Sequence, residues 1–168
     1  MYVEVVTRTA LLVVFGVAAV QKGRSQAAFL AFVSALRSFG LGGAARPVGY
    51  AVVAAETVAA LLLAWPHTVT AGYLLALALL TVFMAGIVRA SRSPTPVACR
   101  CFGFGGGPLG IRHLIRNAVL GGMAVVGLLA DRGPVDAGAA LAAIGGLFVA
   151  LVVIRWDDLA YLMSATRR

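Results

Sequence analysis

From Thr68 to Val88 the chain runs without one charged residue, through alternating Leu, Ala, Val and aromatic positions. A helix rises 1.5 Å per residue, so about 20 apolar residues cross a hydrocarbon core. A water-soluble domain has no place to hide so long an uncharged run, and this stretch alone points to a membrane span. The rest of the chain agrees: 61% of residues are hydrophobic, 12% are charged and mean hydropathy is +0.98. Soluble domains carry about a quarter charged residues. The expected fold is all-α, a single integral membrane helical bundle over residues 1–168.

Four further spans are expected at residues 2–22, 47–65, 110–130 and 135–155, with the charge-free run taken as 68–89. Residues 1–22 have the outline of a signal peptide. Glu4 in the charged segment and Gln21-Lys22 after the apolar run argue instead for a retained first span. Glu4 and Arg8 are spaced to pair across one helical turn. Ser25 offers an N-cap for an amphipathic helix over residues 25–39, whose apolar stripe is Phe29, Phe32, Val33, Leu36 and Phe39. Residues 40–46 read as a glycine-rich linker, Pro47 as a helix start and Pro66-His67 as a tight turn. Residues 90–109 are a polar loop dense in Gly and Pro.

The net charge is +8, but no basic cluster with interleaved aromatics accompanies it, so nucleic acid is excluded as a partner. In five antiparallel spans the basic residues segregate. Twelve of the 14 fall on one side, and Arg8 and Arg132 on the other. The positive-inside rule then puts the N-terminus outside and loop 90–109 in the cytoplasm. That placement conflicts with the compartments in which stable disulfides persist, unless a cysteine pair there cycles.

Such a pair is present. Both cysteines of the chain, Cys99 and Cys101, lie in this loop, within Cys99-Arg100-Cys101-Phe102-Gly103. A disulfide between residues i and i+2 closes a tight ring, and strained, exposed disulfides are the reducible, catalytic ones. Arg100, with Arg112 and Arg116 near in sequence, favours the thiolate. Two inert buried thiols are the plain alternative. A Cu(I) site is another, since soft thiolates suit that ion; a structural zinc site lacks ligands, because only His113 shares the side and His67 falls on the opposite face, so no metal ligand is assigned. Glu56 at the centre of the second span is costly there, and is either a functional carboxylate or a structural ion-pair member. Lys22, Arg112 and Arg116 are its candidate partners. Lys22 is the only lysine beside 13 arginines, and a helix-end lysine commonly snorkels to the interface. Arg116-Asn117, just inside the fourth span, is placed to meet Glu56, an anionic headgroup or a quinone oxygen.

In this order the residues resemble the methylamine-utilisation MauE family, within the wider DoxX-like group. The carriers are Phe15-Gly16, Lys22, the Phe-rich amphipathic stretch, Glu56, the Cys-x-Cys-Phe-Gly box and Arg116-Asn117, over about residues 5–130. The resemblance implies a four-helix core with a fifth, C-terminal transmembrane helix. It also implies a membrane thiol–disulfide redox role in maturing a partner protein, with Cys99 and Cys101 reacting and Lys22, Glu56, Arg100, Arg116 and Asn117 in support. The implied partners are the bilayer, a thioredoxin-like protein and a disulfide-containing client, which in the methylamine pathway is the small subunit of methylamine dehydrogenase. Quinone is the candidate acceptor, and no other cofactor is expected. The family box usually has glycine where this chain has Arg100, a side chain placed to tighten the ring or alter thiol acidity. Two other functions remain open: a non-enzymatic assembly or chaperone subunit, and a Cu(I)-handling membrane protein.

Overall fold

The structure, a computed structural model, describes residues 1–91, 111–133 and 137–156. Among them every regular element is helical. Helix α1 spans Tyr2–Gly23, α2 Gln26–Leu36, α3 Ala45–Ala64, α4 Val69–Ser91, α5 Ile111–Leu129 and α6 Ala137–Ile154. Five helical segments are long and apolar enough to cross a bilayer, one of them Gln26–Ala64 taken through its turns as a unit. The chain is a multi-pass membrane protein.

Local chemistry sets the boundaries. After α1, the Arg24 N–H donates to the Val20 carbonyl at 2.8 Å and closes the last turn. Ser25 then adopts an extended conformation, and its hydroxyl accepts from the Ala28 N–H at 3.1 Å, the N-cap expected of it. At Pro66-His67, the Thr68 N–H donates to the Trp65 carbonyl, and the Thr68 hydroxyl donates to Leu62 O, so the turn is bonded on both sides.

The expected glycine-rich connection is present and short, and helix α3 takes over its last two residues, Ala45 and Arg46. The amphipathic helix ends at Leu36, Arg37–Leu41 winds into a wide π turn, and Gly42–Ala44 is a single 3-10 turn leading into α3 at Ala45. Gly40 and Gly42 have φ of 84° and 48°, a region that side-chain-bearing residues avoid. The two glycines therefore break the helical backbone and kink the chain between α2 and α3, and Pro47 sits in the first turn of α3, where its missing N–H has no partner to lose. Phe39 consequently belongs to the π turn.

Adjacent helices of the bundle pack antiparallel, and α6 is the exception. Helices α1, α3, α4 and α5 close a ring, α1 touching α3 and α5, and α4 touching α3 and α5. Helix α6 lies outside the ring, against α1. It runs parallel to α1, since Gly138 meets Tyr2 and Gly146 meets Val6 and Thr9. At Gly146 a Cβ would lie 2.6 Å from the Val6 carbonyl oxygen, so the close approach of the two backbones depends on glycine there. Leu11, Leu63, Tyr73, Leu120 and Ala124 fill the ring's centre. Large apolar side chains such as Leu61, Val82, Leu129, Leu141 and Phe148 point outward, as a bilayer solvent permits.

Two polar knots tie the helices. At the end holding the N-terminus, the buried Thr7 and Tyr73 hydroxyls lie 3.0 Å apart, and the Tyr73 hydroxyl donates to the Glu4 carbonyl at 3.2 Å. Arg8 stands only 3.9 Å from Glu4 Oε1, and its stronger contacts are elsewhere: it donates to the Leu63 and Ala64 carbonyls at 2.6 and 2.8 Å. These are C-terminal carbonyls of α3, which lack helical donors, and a cation there also meets the negative end of the helix dipole. The second knot lies at the opposite end.

Candidate functional site: a polar-floored cavity

Where α1 ends, α3 and α5 begin and α4 runs out, the helices line a partly open cavity of about 270 Å³. Its walls are apolar, with Phe15, Phe32, Phe39 and Phe83 contributed by α1, α2, the π turn and α4. The amphipathic segment thus turns its stripe into the bundle; Phe39 reaches the cavity because the π turn carries it there.

Into this apolar space five polar residues converge. Lys22 Nζ donates to Glu56 Oε1 at 2.5 Å, and the two residues are 5% and 1% exposed. Lys22 therefore does not snorkel toward the interface. The Lys22 ammonium also stands 5.2 Å from the centre of the Phe32 ring and 5.8 Å from that of Phe83, within cation–π range. From α5, Arg116 and Asn117 are buried and line the same cavity, as does the less buried His113. Arg116 is close enough to act electrostatically on Lys22, so the wall carries two cations and one carboxylate. Of the candidate partners for Glu56, the geometry selects Lys22. Arg112, one turn before Arg116, is exposed.

The carboxylate is only half engaged. Glu56 Oε2 is buried and accepts no hydrogen bond among the described residues. A charge held off water needs its lone pairs satisfied, or it costs several kcal/mol. The sequence-designated residues Lys22, Glu56, Arg116 and Asn117 are thus brought to one cavity. Cys99, Arg100 and Cys101 lie outside the described residues, in the segment that joins α4 to α5, the two helices whose ends flank the cavity. No group of three or more potential metal ligands occurs among the described residues.

Sequence reasoning missed the Thr7–Tyr73 contact and the role of Phe83. Tyr73 is the only tyrosine inside the charge-free run, and a hydroxyl in such a run needs a partner, which was the available signal. Phe83 carried none, because a phenylalanine in a span is ordinarily lipid-facing or core.

Fold and cavity together define a multi-pass helical membrane protein that keeps an ion pair inside an apolar chamber. Residues 1–130 match the family described as Methylamine utilisation protein MauE. The match spans α1 to the end of α5, and the chain belongs to the MauE family, membrane proteins implicated in methylamine utilisation. Helix α6 lies beyond the match. Neither the curated proteins nor the solved structures contain a match to the chain.

Proposed function

We propose that this protein is a membrane thiol–disulfide redox protein that assists disulfide formation in a partner, with Cys99 and Cys101 as the reacting pair. What carries the reading is the charged, aromatic-walled cavity at the bundle end where α4 stops and α5 starts, since the segment between them holds both cysteines of the chain. Membership of the MauE family supports it.

In the reaction, a partner disulfide is attacked by one thiolate, which forms a mixed disulfide and releases one partner thiolate. The second cysteine attacks that mixed disulfide, giving the Cys99–Cys101 disulfide and a reduced partner dithiol. Run in reverse, the same steps oxidise a client dithiol. Regenerating the disulfide from the dithiol gives up two electrons and two protons, and a quinone of the bilayer takes both and becomes a quinol. Arg100 and Arg116 favour the thiolate, while Lys22, Glu56 and Asn117 shape the adjoining cavity. A thioredoxin-like protein is the partner that fits this exchange, and a disulfide-containing client is its beneficiary. By the segregation of the basic residues, the N-terminus faces outward and the cysteine segment faces the cytoplasm.

Mixed-disulfide trapping tests the reading. A Cys101→Ser or Cys99→Ser variant is expected to capture a partner covalently, in a band that reductant abolishes. If neither variant traps a partner, and both retain wild-type client oxidation, the cysteines have no exchange role. Labelling with a membrane-impermeant thiol reagent on intact cells reads the sidedness in the same strains.

A further inference from the structure

We infer that the cavity beside Glu56 binds an uncharged, hydroxylated single-ring amphiphile of the hydroquinone class, and that it holds the reduced form more tightly than the quinone. The inference gives the acceptor in the redox reading a place in the fold, and to that extent rests on it; the binding itself requires no thiol.

Three observations carry it. The first is size: a cavity of roughly 150 Å³ takes a benzene ring, so one of about 270 Å³ admits a ring with several small substituents. The second is the wall, where Phe15, Phe32, Phe39 and Phe83 offer ring faces and edges to a planar ligand. The third is the polar complement. Glu56 is 1% exposed, lines the cavity, and its Oε2 accepts no hydrogen bond among the described residues. It calls for a ligand that brings a hydrogen, which a quinol hydroxyl does and a quinone carbonyl does not.

An anionic head, such as a fatty-acid carboxylate, would gain attraction from Lys22 and Arg116. It would bring no hydrogen to Oε2 and would set a second negative charge beside it. A purely hydrocarbon ligand would leave the carboxylate as it is.

The experiment uses the full-length protein in lipid nanodiscs, with tritiated decylubiquinol under anaerobic conditions and its oxidised form in parallel. Saturable binding of one molecule per chain is expected, with the quinol bound about tenfold more tightly than the quinone, the worth of one hydrogen bond to a charged group. Glu56→Gln is expected to remove that preference. Gly86→Leu supplies a variant that leaves the ion pair alone. Gly86 lines the cavity and a Cβ there meets nothing within 4 Å, so the leucine enters empty space and should abolish binding while the protein remains monodisperse. Unsaturable binding to the wild type, displacement by equimolar lauric acid, preference for the oxidised form, or undiminished binding to Gly86→Leu would each overturn the assignment. The Cys99→Ser/Cys101→Ser double variant should bind as the wild type does, so a failed trapping experiment and a failed binding experiment are read separately.

Discussion

Consider removing Lys22 and Glu56 singly and together. At 2.5 Å, two unit charges in an effective dielectric of about 20 attract by about 7 kcal/mol. Loss of hydration opposes this by several kcal/mol for each ion, so the intact pair adds little net stability. Either residue alone is another matter. Lys22→Met leaves a carboxylate at a site 1% exposed, and Glu56→Leu takes the carboxylate from an ammonium at a site 5% exposed; removing one member of a buried pair costs about 3–5 kcal/mol. In a chain of 168 residues that corresponds to about 6–20 °C in melting temperature. The double variant Lys22→Met/Glu56→Leu removes both charges with side chains of similar volume and should return to within about 1 kcal/mol of the wild type. Thermostability of detergent-solubilised protein, followed by size-exclusion chromatography, gives the four corners of the cycle. Single losses below about 1 kcal/mol, or a double loss equal to the sum of the singles, would refute the idea that each charge is held by the other. The same double variant separates architecture from chemistry: if it is stable yet fails to support client oxidation, the pair serves the site as well as the fold.

Arg8→Gln strips the two charge-assisted bonds to Leu63 O and Ala64 O, and a loss of about 2–4 kcal/mol is expected by the same chromatographic assay. Tyr73→Phe removes the hydroxyl between Thr7 and the Glu4 carbonyl; because the Thr7 hydroxyl also bonds Glu4 O, the cost should stay near 1 kcal/mol. Gly146→Val places a Cβ against the Val6 backbone oxygen and is expected to part α6 from α1, read as the loss of a disulfide crosslink engineered between them in a Cys99→Ser/Cys101→Ser background. Ser25→Ala should cost about 1 kcal/mol through the lost cap on α2.

The spans were legible because bilayer thickness imposes a length that few other constraints mimic, and the charge-free run satisfied it with no help from its neighbours. Glu56 announced itself for a related reason: a carboxylate in the middle of a span needs a partner. Which partner was not legible. Lys22 lies 34 positions away, and only the packing of α1 on α3 decides that it, rather than Arg112 or Arg116, comes within 2.5 Å. Arg8 illustrates the converse. Spacing tied it to Glu4, whereas the structure gives its better contacts to the exposed carbonyls at the end of α3, groups that every residue owns and no sequence displays. The stretch at residues 40–46 was legible as a break because glycine lowers helix propensity; the positive φ of Gly40 and Gly42 makes that break a kink between two helices.

The parallel arrangement of α6 on α1 has a consequence for how the molecule meets its surroundings. A ring of four antiparallel crossings would begin and finish on one membrane face. The added crossing takes the chain from the Tyr2 end back to the level of Lys22, so the last described turn, at Arg155 and Trp156, leaves the bundle on the cavity's face while Met1 stays on the other. A reporter joined at the N-terminus and one joined just after Trp156 would therefore read opposite compartments from a single polypeptide. The cavity's own compartment would follow from the second.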